Sequence, residues 1–303
     1  MKLSVCMITY NHAPFIRQAI DSALSQETPF PYEIVIADDY STDGTAEIVA
    51  EYQSRHPGLV RSVGDGRNHG VTRNLARCLR ACRGEYVALL EGDDYWTDTT
   101  KLGRQAEYLD ANPSCAISFH LVEAVDERNR IIRSLWQTPT RNVFTLRDLL
   151  VGGNFIPTCS AVFRRRSELD FPDWFFSSYI GDFPLHVMNA EYGDIHFMDR
   201  TMGAWRRHAG GVYNSGGNTA RSQETIRVYA NIDRHLGFRH HRVISSLQSY
   251  WQAVECMRVG DVAQARRYAL RRLLGPPVGA QSLKALVMAL APGVYRRSAR
   301  PVP

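Results

Sequence analysis

Along the first 130 residues the apolar positions change period repeatedly, and each change marks an element. Leu3–Thr9 is a continuous apolar run closed by "YNHAP" and reads as a buried strand. Residues 14–26 follow with Phe15, Ile16, Ala19, Ile20, Ala23 and Leu24 on one face, the spacing of an amphipathic helix. "YEIVIADD" is a second strand that ends in Asp38 and Asp39. "STDGTAEIVAEYQ" opens a helix, with Ser41 or Thr42 as its expected cap. A short third strand, "LVRSVGD", precedes a helical stretch over 70–82 in which Ala76, Leu79 and Arg80 recur by turns. "EYVALLEGDD" is the fourth strand and "KLGRQAEYLDANP" the next helix. Strand and helix in alternation predict an α/β fold with a mostly parallel sheet flanked by helices. Beyond residue 210 the pattern changes. "AGGVYNSGGN" is glycine-rich, and 220–290 reads as several helices without strands.

Sheets of this kind bind ligands beyond the carboxyl ends of their strands. Asp38–Asp39 and Asp93–Asp94 end two different strands and therefore face one cleft. Glu91, Asp93 and Asp94 fall within four positions, and carboxylates this close repel unless a cation or donors hold them. Taken alone, such a pair also fits a helix cap or a solvated turn. A dinucleotide-binding fingerprint would follow the first strand, yet "TYNHAPF" has no glycine there; "GDGRNHG" has the wrong spacing, and no G-K-[ST] phosphate loop occurs. These absences argue against NAD and P-loop nucleotide binding.

Composition narrows the class further. The 303 residues are 44% hydrophobic and 22% charged, an ordinary globular balance. No run approaches the roughly 20 apolar residues that span a bilayer, and the opening reads as a strand, not a cleaved leader. Cys78 and Cys82 lie one helical turn apart, but no second pair completes a zinc site, so the cysteines are expected reduced, in a cytoplasmic setting. The net charge of +5 is uneven: residues 1–150 hold 16 Lys+Arg against 20 Asp+Glu, and residues 151–303 hold 20 against 11. From Arg258 onward there are nine basic residues and one acid, Asp261. Such a tail suits an anionic membrane surface, an acidic partner or a solvated helical face. Within it Leu283, Leu286, Val287 and Leu290 recur at helical spacing, with Lys284, Arg296, Arg297 and Arg300 beside or beyond them. Basic residues do not interleave with aromatics as a nucleic-acid surface requires. Arg164–Arg165–Arg166 is expected solvated. Trp205 is a candidate for acceptor stacking or for the core.

Five stretches occur in order: "SVCMITYNHAPFIRQAIDSALSQ", "EIVIADDYSTDGT", "NHGVTRNLARCLRACRGEYVALLEGDDYW", "IGDFPLHVMNAEYG" and "WRRHAGGV". Together they resemble inverting glycosyltransferases of family 2 over about residues 3–212. The resemblance implies a GT-A type, Rossmann-like catalytic domain over 1–212, with a nucleotide-sugar half over about 1–98 and an acceptor half over about 99–212. A helical region over 213–303 would follow. It implies that Thr9, Tyr10, Asn11 and Asp39 lie against the nucleotide, with Arg73 near the phosphates and Asp93 on ribose or through water. Asp94 is then expected on a Mn²⁺ or Mg²⁺ ion with Asp93 and His208, and Asp182 as the catalytic base. The family commonly has Asp where this chain has Glu91, which leaves Glu91 as a supporting acid. The implied reaction moves a sugar from a nucleoside-diphosphate sugar, expected to be a UDP-sugar, to a hydroxyl on a glycan, a lipid-linked sugar or a small molecule. The expected setting is the inner face of a membrane, through peripheral contact of the basic C-terminal helix, or a homo-oligomer. A binding module that had lost catalysis would be expected to lose Asp94 or Asp182, and both are present. A nucleotidyltransferase would need a basic, glycine-rich triphosphate loop after the first strand, and that is absent.

Overall fold

The computed structural model describes residues 1–132, 138–166, 170–211, 218–276 and 279–292. It divides into two compact units. One comprises 1–146 with 154–208; the other comprises 147–153 with the residues from 209 onward.

The first unit follows the alternation in the sequence. β1 (Leu3–Thr9), α1 (Ile16–Leu24), β2 (Tyr32–Asp38), α2 (Thr45–Arg55), β3 (Val60–Ser62), α3 (Val71–Ala81), β4 (Tyr86–Glu91), β5 (Tyr95–Trp96) and α4 (Lys101–Ala111) come first. β6 (Cys115–Val125) and β7 (Val143–Phe144) precede α5 (Leu146–Gly152), nearly all of which belongs to the second unit. β8 (Val162–Arg164), α6 (Asp182–Ala190) and β9 (Asp194–Arg206) complete the first. The sheet runs β3-β2-β1-β4-β8-β6-β9-β5, with β7 also on β9. β3-β2-β1-β4 is parallel, as expected. Past β4 the sheet is mixed: β6 and β9 are parallel, while β8 opposes β4 and β6, and β5 and β7 oppose β9. The antiparallel members are only two or three residues long. Such short pairings need no helical crossover, and alternation alone does not reveal them.

β1 and β4 lie inside the sheet with both faces covered, which is why they read as unbroken apolar runs. α1 buries Ile16, Ala19, Ile20 and Ala23, the face its spacing predicts. The start of α2 differs from expectation. Its N-cap is Gly44 at φ 95°, and Asp43 accepts the Thr45 N–H at 3.1 Å. Ser41 instead donates to Asp38 and accepts from the Asn11 N–H, so it serves the turn after β2 and not the helix. Arg164–Arg166 is not a solvated run. Arg164 donates to Cys115 O (2.8 Å) and Tyr86 Oη (3.1 Å), Arg165 to Gly84 O (2.6 Å), and Arg166 stacks over Tyr192. Trp205 is half-buried against the core.

Lys101 is fully buried, with Nζ 4.1 Å from the Trp96 ring centroid and no hydrogen-bond acceptor. Burial pushes its ammonium down to about 7. Above that pH the unfolded chain, titrating near 10.4, binds the extra proton, so stability rises from pH 7 towards 10. Lys101→Met is therefore expected to raise Tm at pH 6, by an amount corresponding to a few kcal/mol, and to raise it much less at pH 10. Thermal melts at the two pH values check this.

The second unit holds α5, α7 (Asn218–His235), α8 (His241–Val259), α9 (Val262–Leu273) and α10 (Gly279–Leu290). Tyr250, Ala253 and Met257 of α8 pack with Ala265 and Ala269 of α9 and with Ala285, Met288 and Ala289 of α10. Asp261 caps α9 by accepting the Gln264 N–H at 3.0 Å. Among the described residues no helix is long and apolar enough to cross a membrane.

Candidate active site

Register assembles the site. Thr9 pairs with Asp38, and Ile8 with Glu91, so the ends of β1, β2 and β4 share one edge. The acidic turn after β4 then lies on β1: Gly92 N–H donates to Ile8 O at 2.9 Å. A Cβ at Gly92 would sit 2.6 Å from Thr9 Oγ1 and 2.9 Å from Ile16 Cδ1, so only glycine lets the turn come this close.

The far end of β9 closes the turn. The buried Arg206 donates its N–H to Asp94 Oδ1 (2.8 Å) and its Nε–H to Asp93 O (2.8 Å). Its other nitrogens reach Asn129 Oδ1 (2.8 Å) and Gln18 Oε1 (2.7 Å), and the guanidinium lies over Phe15. Two residues on, His208 Nε2 is 2.9 Å from Asp93 Oδ2, and His12 Nε2 is 3.8 Å from the same oxygen. One ligand atom from each of His12, Asp93 and His208 lies within 4.8 Å of the other two.

Adjacent acids thus have different surroundings. Burial would raise Asp93, but His12 and His208 outweigh it and hold this carboxyl below its ordinary range. Asp94 is 3% exposed and is pushed well above that range, by burial first and then by Asp93. Glu91 is raised by burial and then by Asp94, Asp93 and Asp182, and its Oε2 is buried without a partner. Burial lowers His12, with Asp93 opposing, and so favours the form of the imidazole that can offer a lone pair. Two imidazoles around one ionised carboxylate, beside two acids short of positive charge, fit a divalent cation.

The other expected residues fall as follows. Asp94, expected first on the metal, lies outside the His12–Asp93–His208 cluster, because the Arg206 amide holds one of its oxygens. Thr9 is buried under Gly92, and Tyr10 is 47% exposed at the strand end. Asn11 takes φ 54° and accepts the Thr42 N–H at 2.8 Å, joining the loops after β1 and β2. Asp39 is buried and accepts the N–H groups of His69 (2.7 Å) and Gly70 (2.9 Å) at the start of α3. Arg73 is exposed and rests on Phe176, ring and carbonyl, rather than on the acids. Asp182 is the first residue of α6, beside the unpaired N–H groups of the helix start. α3 holds that segment: Thr72 Oγ1 donates to Ser178 O at 3.0 Å, and a Cβ on Gly181 would meet Leu75 and Thr72 at 3.2 and 3.3 Å.

His12, Arg206 and Arg77 were not expected. Arg77 donates to Asp38 O and pairs with Asp65 at 2.6 Å; with His69 it pulls that carboxyl down to about 2. His12 stands in the loop directly after β1, so the strand-end rule was the signal that would have found it.

This sheet order with an acid-bearing carboxyl edge defines a GT-A type α/β fold. The Glycosyl transferase family 2 model matches residues 4–170, more than half of the chain, and the chain belongs to that family. It is 40% identical over 220 residues to the uncharacterized protein Rv1520 of Mycobacterium tuberculosis, with 70% of this chain and 61% of that protein covered. The chain thus spans less than two thirds of the length of these curated relatives. Among solved structures, Staphylococcus aureus TarS (residues 1–349) in complex with UDP-GlcNAc superposes with a TM-score of 0.61 at 18% identity, covering 100% of this chain and 93% of that one. The mannosyltransferase PcManGT of Pyrobaculum calidifontis, in complex with GDP-Man and Mn²⁺, gives 0.58 at 18% identity, covering 98% and 82%.

Proposed function

We propose that the chain is a metal-dependent inverting glycosyltransferase that takes a nucleoside-diphosphate sugar, a UDP-sugar first among these, and transfers the sugar to a hydroxyl of a glycan, lipid-linked sugar or small molecule. The observation that carries this is the Asp93 carboxylate shared by His208 and His12 at the edge where β1, β2 and β4 end. TarS and PcManGT, bound to UDP-GlcNAc and GDP-Man, support the donor class. Asp93, His208 and His12 hold the cation. An imidazole-containing set favours Mn²⁺ over Mg²⁺, which prefers oxygen ligands alone. When bound, the cation neutralises charge on a leaving diphosphate. Asp39, Tyr10 and the loop around Asn11 receive the nucleoside. Asp94 keeps Arg206, and through it His208, in register with the acidic turn. Asp182 takes the proton of the attacking hydroxyl, which a single inverting displacement requires of one base. A thermal-shift screen of UDP-GlcNAc, UDP-glucose and GDP-mannose tests the reading. At least one is expected to raise Tm with Mn²⁺ and not with EDTA; equal shifts under both conditions would remove the cation from the proposal.

The second unit is proposed to touch an anionic membrane surface, which would bring the enzyme to a lipid-linked acceptor. On α10, Ala285, Met288 and Ala289 are buried, while Leu283, Leu286 and Leu290 are exposed beside Lys284. Arg296, Arg297 and Arg300, expected to flank this face, lie outside the described residues. An exposed apolar stripe with basic neighbours fits a headgroup layer, at about 1 kcal/mol per basic residue. The protein is expected to co-sediment with phosphatidylglycerol vesicles at low salt, and the Leu283→Asp/Leu286→Asp variant to stay in solution. Equal partitioning of the two ends this reading.

A further inference from the structure

Behind Asp182 stands a chain of polar side chains that the proposed reaction has not used. Asn154 Nδ2 lies 2.6 Å from Asp182 Oδ2, and Asn154 Oδ1 lies 3.1 Å from His186 Nδ1. Thr158 Oγ1 adds a long contact to the same Asp182 oxygen at 3.4 Å. His186 is fully buried on α6, one turn beyond Asp182, and its Nε2 is buried without a partner.

Donor and acceptor rules orient every member. An ionised carboxylate only accepts, so Asn154 must present its NH₂ to Asp182. Its carbonyl then faces His186, whose Nδ1 must carry the hydrogen. Nε2 is left as the bare nitrogen, which is where the structure has no partner. Burial pushes His186 down to about 4, so this neutral tautomer persists across the working range of pH. Among the described residues Asp182 Oδ1 receives no hydrogen bond, while Oδ2 is held.

We infer that Asn154 and His186 are positioning residues that fix one oxygen of Asp182 and leave the other aimed for proton transfer. The inference rests on the reading of Asp182 as the base. In the step it serves, the acceptor oxygen forms its bond to the anomeric carbon as that carbon's bond to the diphosphate oxygen breaks. The leaving diphosphate keeps the electron pair, the hydroxyl proton passes to Asp182 Oδ1, and it is later lost to water. A base free to rotate about χ2 would meet this trajectory only part of the time, and a small misplacement of a reacting group can cost about 10²-fold in rate. The Asn154 N–H donates to Oδ2, so its loss must change the surroundings of the Asp182 carboxyl.

Two measurements test this on the full chain. The side-chain carboxyl resonance of Asp182 is observed by ¹³C NMR without substrate. UDP release from UDP-GlcNAc and UDP-glucose, and GDP release from GDP-mannose, with water as acceptor, are followed with Mn²⁺ between pH 5 and 9. Asn154→Ala is expected to move the Asp182 carboxyl resonance, and to lower kcat by about 10–100-fold with KM for the donor nearly unchanged. His186→Leu is expected to show the same signs at smaller size. His186→Asn, whose amide nitrogen can stand where Nδ1 stands, should return to wild-type behaviour. An unmoved Asp182 carboxyl resonance in both Asn154→Ala and His186→Leu overturns the inference, and needs no turnover to be seen. If Asn154→Ala does not fold, Asn154→Ser and His186→Leu carry the same readout. Asp182→Asn separates the two levels. Full UDP release in that variant ends the base reading, whereas an inactive Asp182→Asn beside an unaffected Asn154→Ala ends only the positioning role.

Discussion

Asp182→Asn is expected to bind nucleotide-sugar as tightly as the wild type and to lose about 10²–10⁴ in transfer rate. The substitution is nearly isosteric and keeps an oxygen to accept from Asn154, so the fold should survive it. What it removes is the only charge at the start of α6. An amide cannot take a hydroxyl proton, so the loss should fall on kcat and leave donor KM alone. A variant that keeps most of its kcat would show that another group accepts the proton. Glu91 is the nearest alternative on this side, since Asp182 is among the charges that raise its pKa. Burial and three neighbouring carboxyls make Glu91 a poor base at rest, which is why the Asp182 effect is expected to be large.

Asp93→Ala should be as damaging by a different route. It removes the one carboxylate between His12 and His208, and with it the site proposed for the cation. Loss of several kcal/mol of charge stabilisation corresponds to about 10³-fold or more in kcat/KM. Nucleotide-sugar affinity should also stop responding to Mn²⁺. His208→Ala should follow in the same direction. Asp94→Asn is the informative contrast. Its amide oxygen can still accept the Arg206 N–H, so Mn²⁺ affinity should change little. Titration calorimetry of Mn²⁺ with UDP present distinguishes the three variants. If Asp94→Asn loses the metal and Asp93→Ala keeps it, the roles drawn from the geometry are reversed.

The parallel half of the sheet was legible because both faces of β1, β2 and β4 are covered, and double burial leaves an unbroken apolar run. β9 was not. Its pairing with β6 shifts register at three places, and Asp199–Thr201 is an exposed run in mid-strand. No single period survives that interruption. Asp39 and Asp93 could be read as acids at strand ends, whereas the roles expected of them and of Asp182 came from the family resemblance. The different surroundings of Asp93 and Asp94 could not be read. Neighbours in a turn point different ways, and here the choice is made by Arg206, more than a hundred residues later. The cap of α2 was misread for a related reason: Ser41 has a competing partner in Asp38, which only the folded turn supplies. Asn154 and His186 sit among apolar residues with nothing in their spacing to link them.

The separation of 115 positions between Asp93 and His208 also bears on how the protein is made. At about 5–20 residues per second, a ribosome needs roughly 6–23 s to travel from one to the other. Throughout that interval the acidic turn has emerged without the strand that clamps it. A nascent chain stalled before β9 can build β1, β2 and β4 but holds only His12 and Asp93 of the trio. On the proposed cation role, metal capture during synthesis would mark the arrival of β9 and would report completion of the first unit more sharply than its secondary structure does.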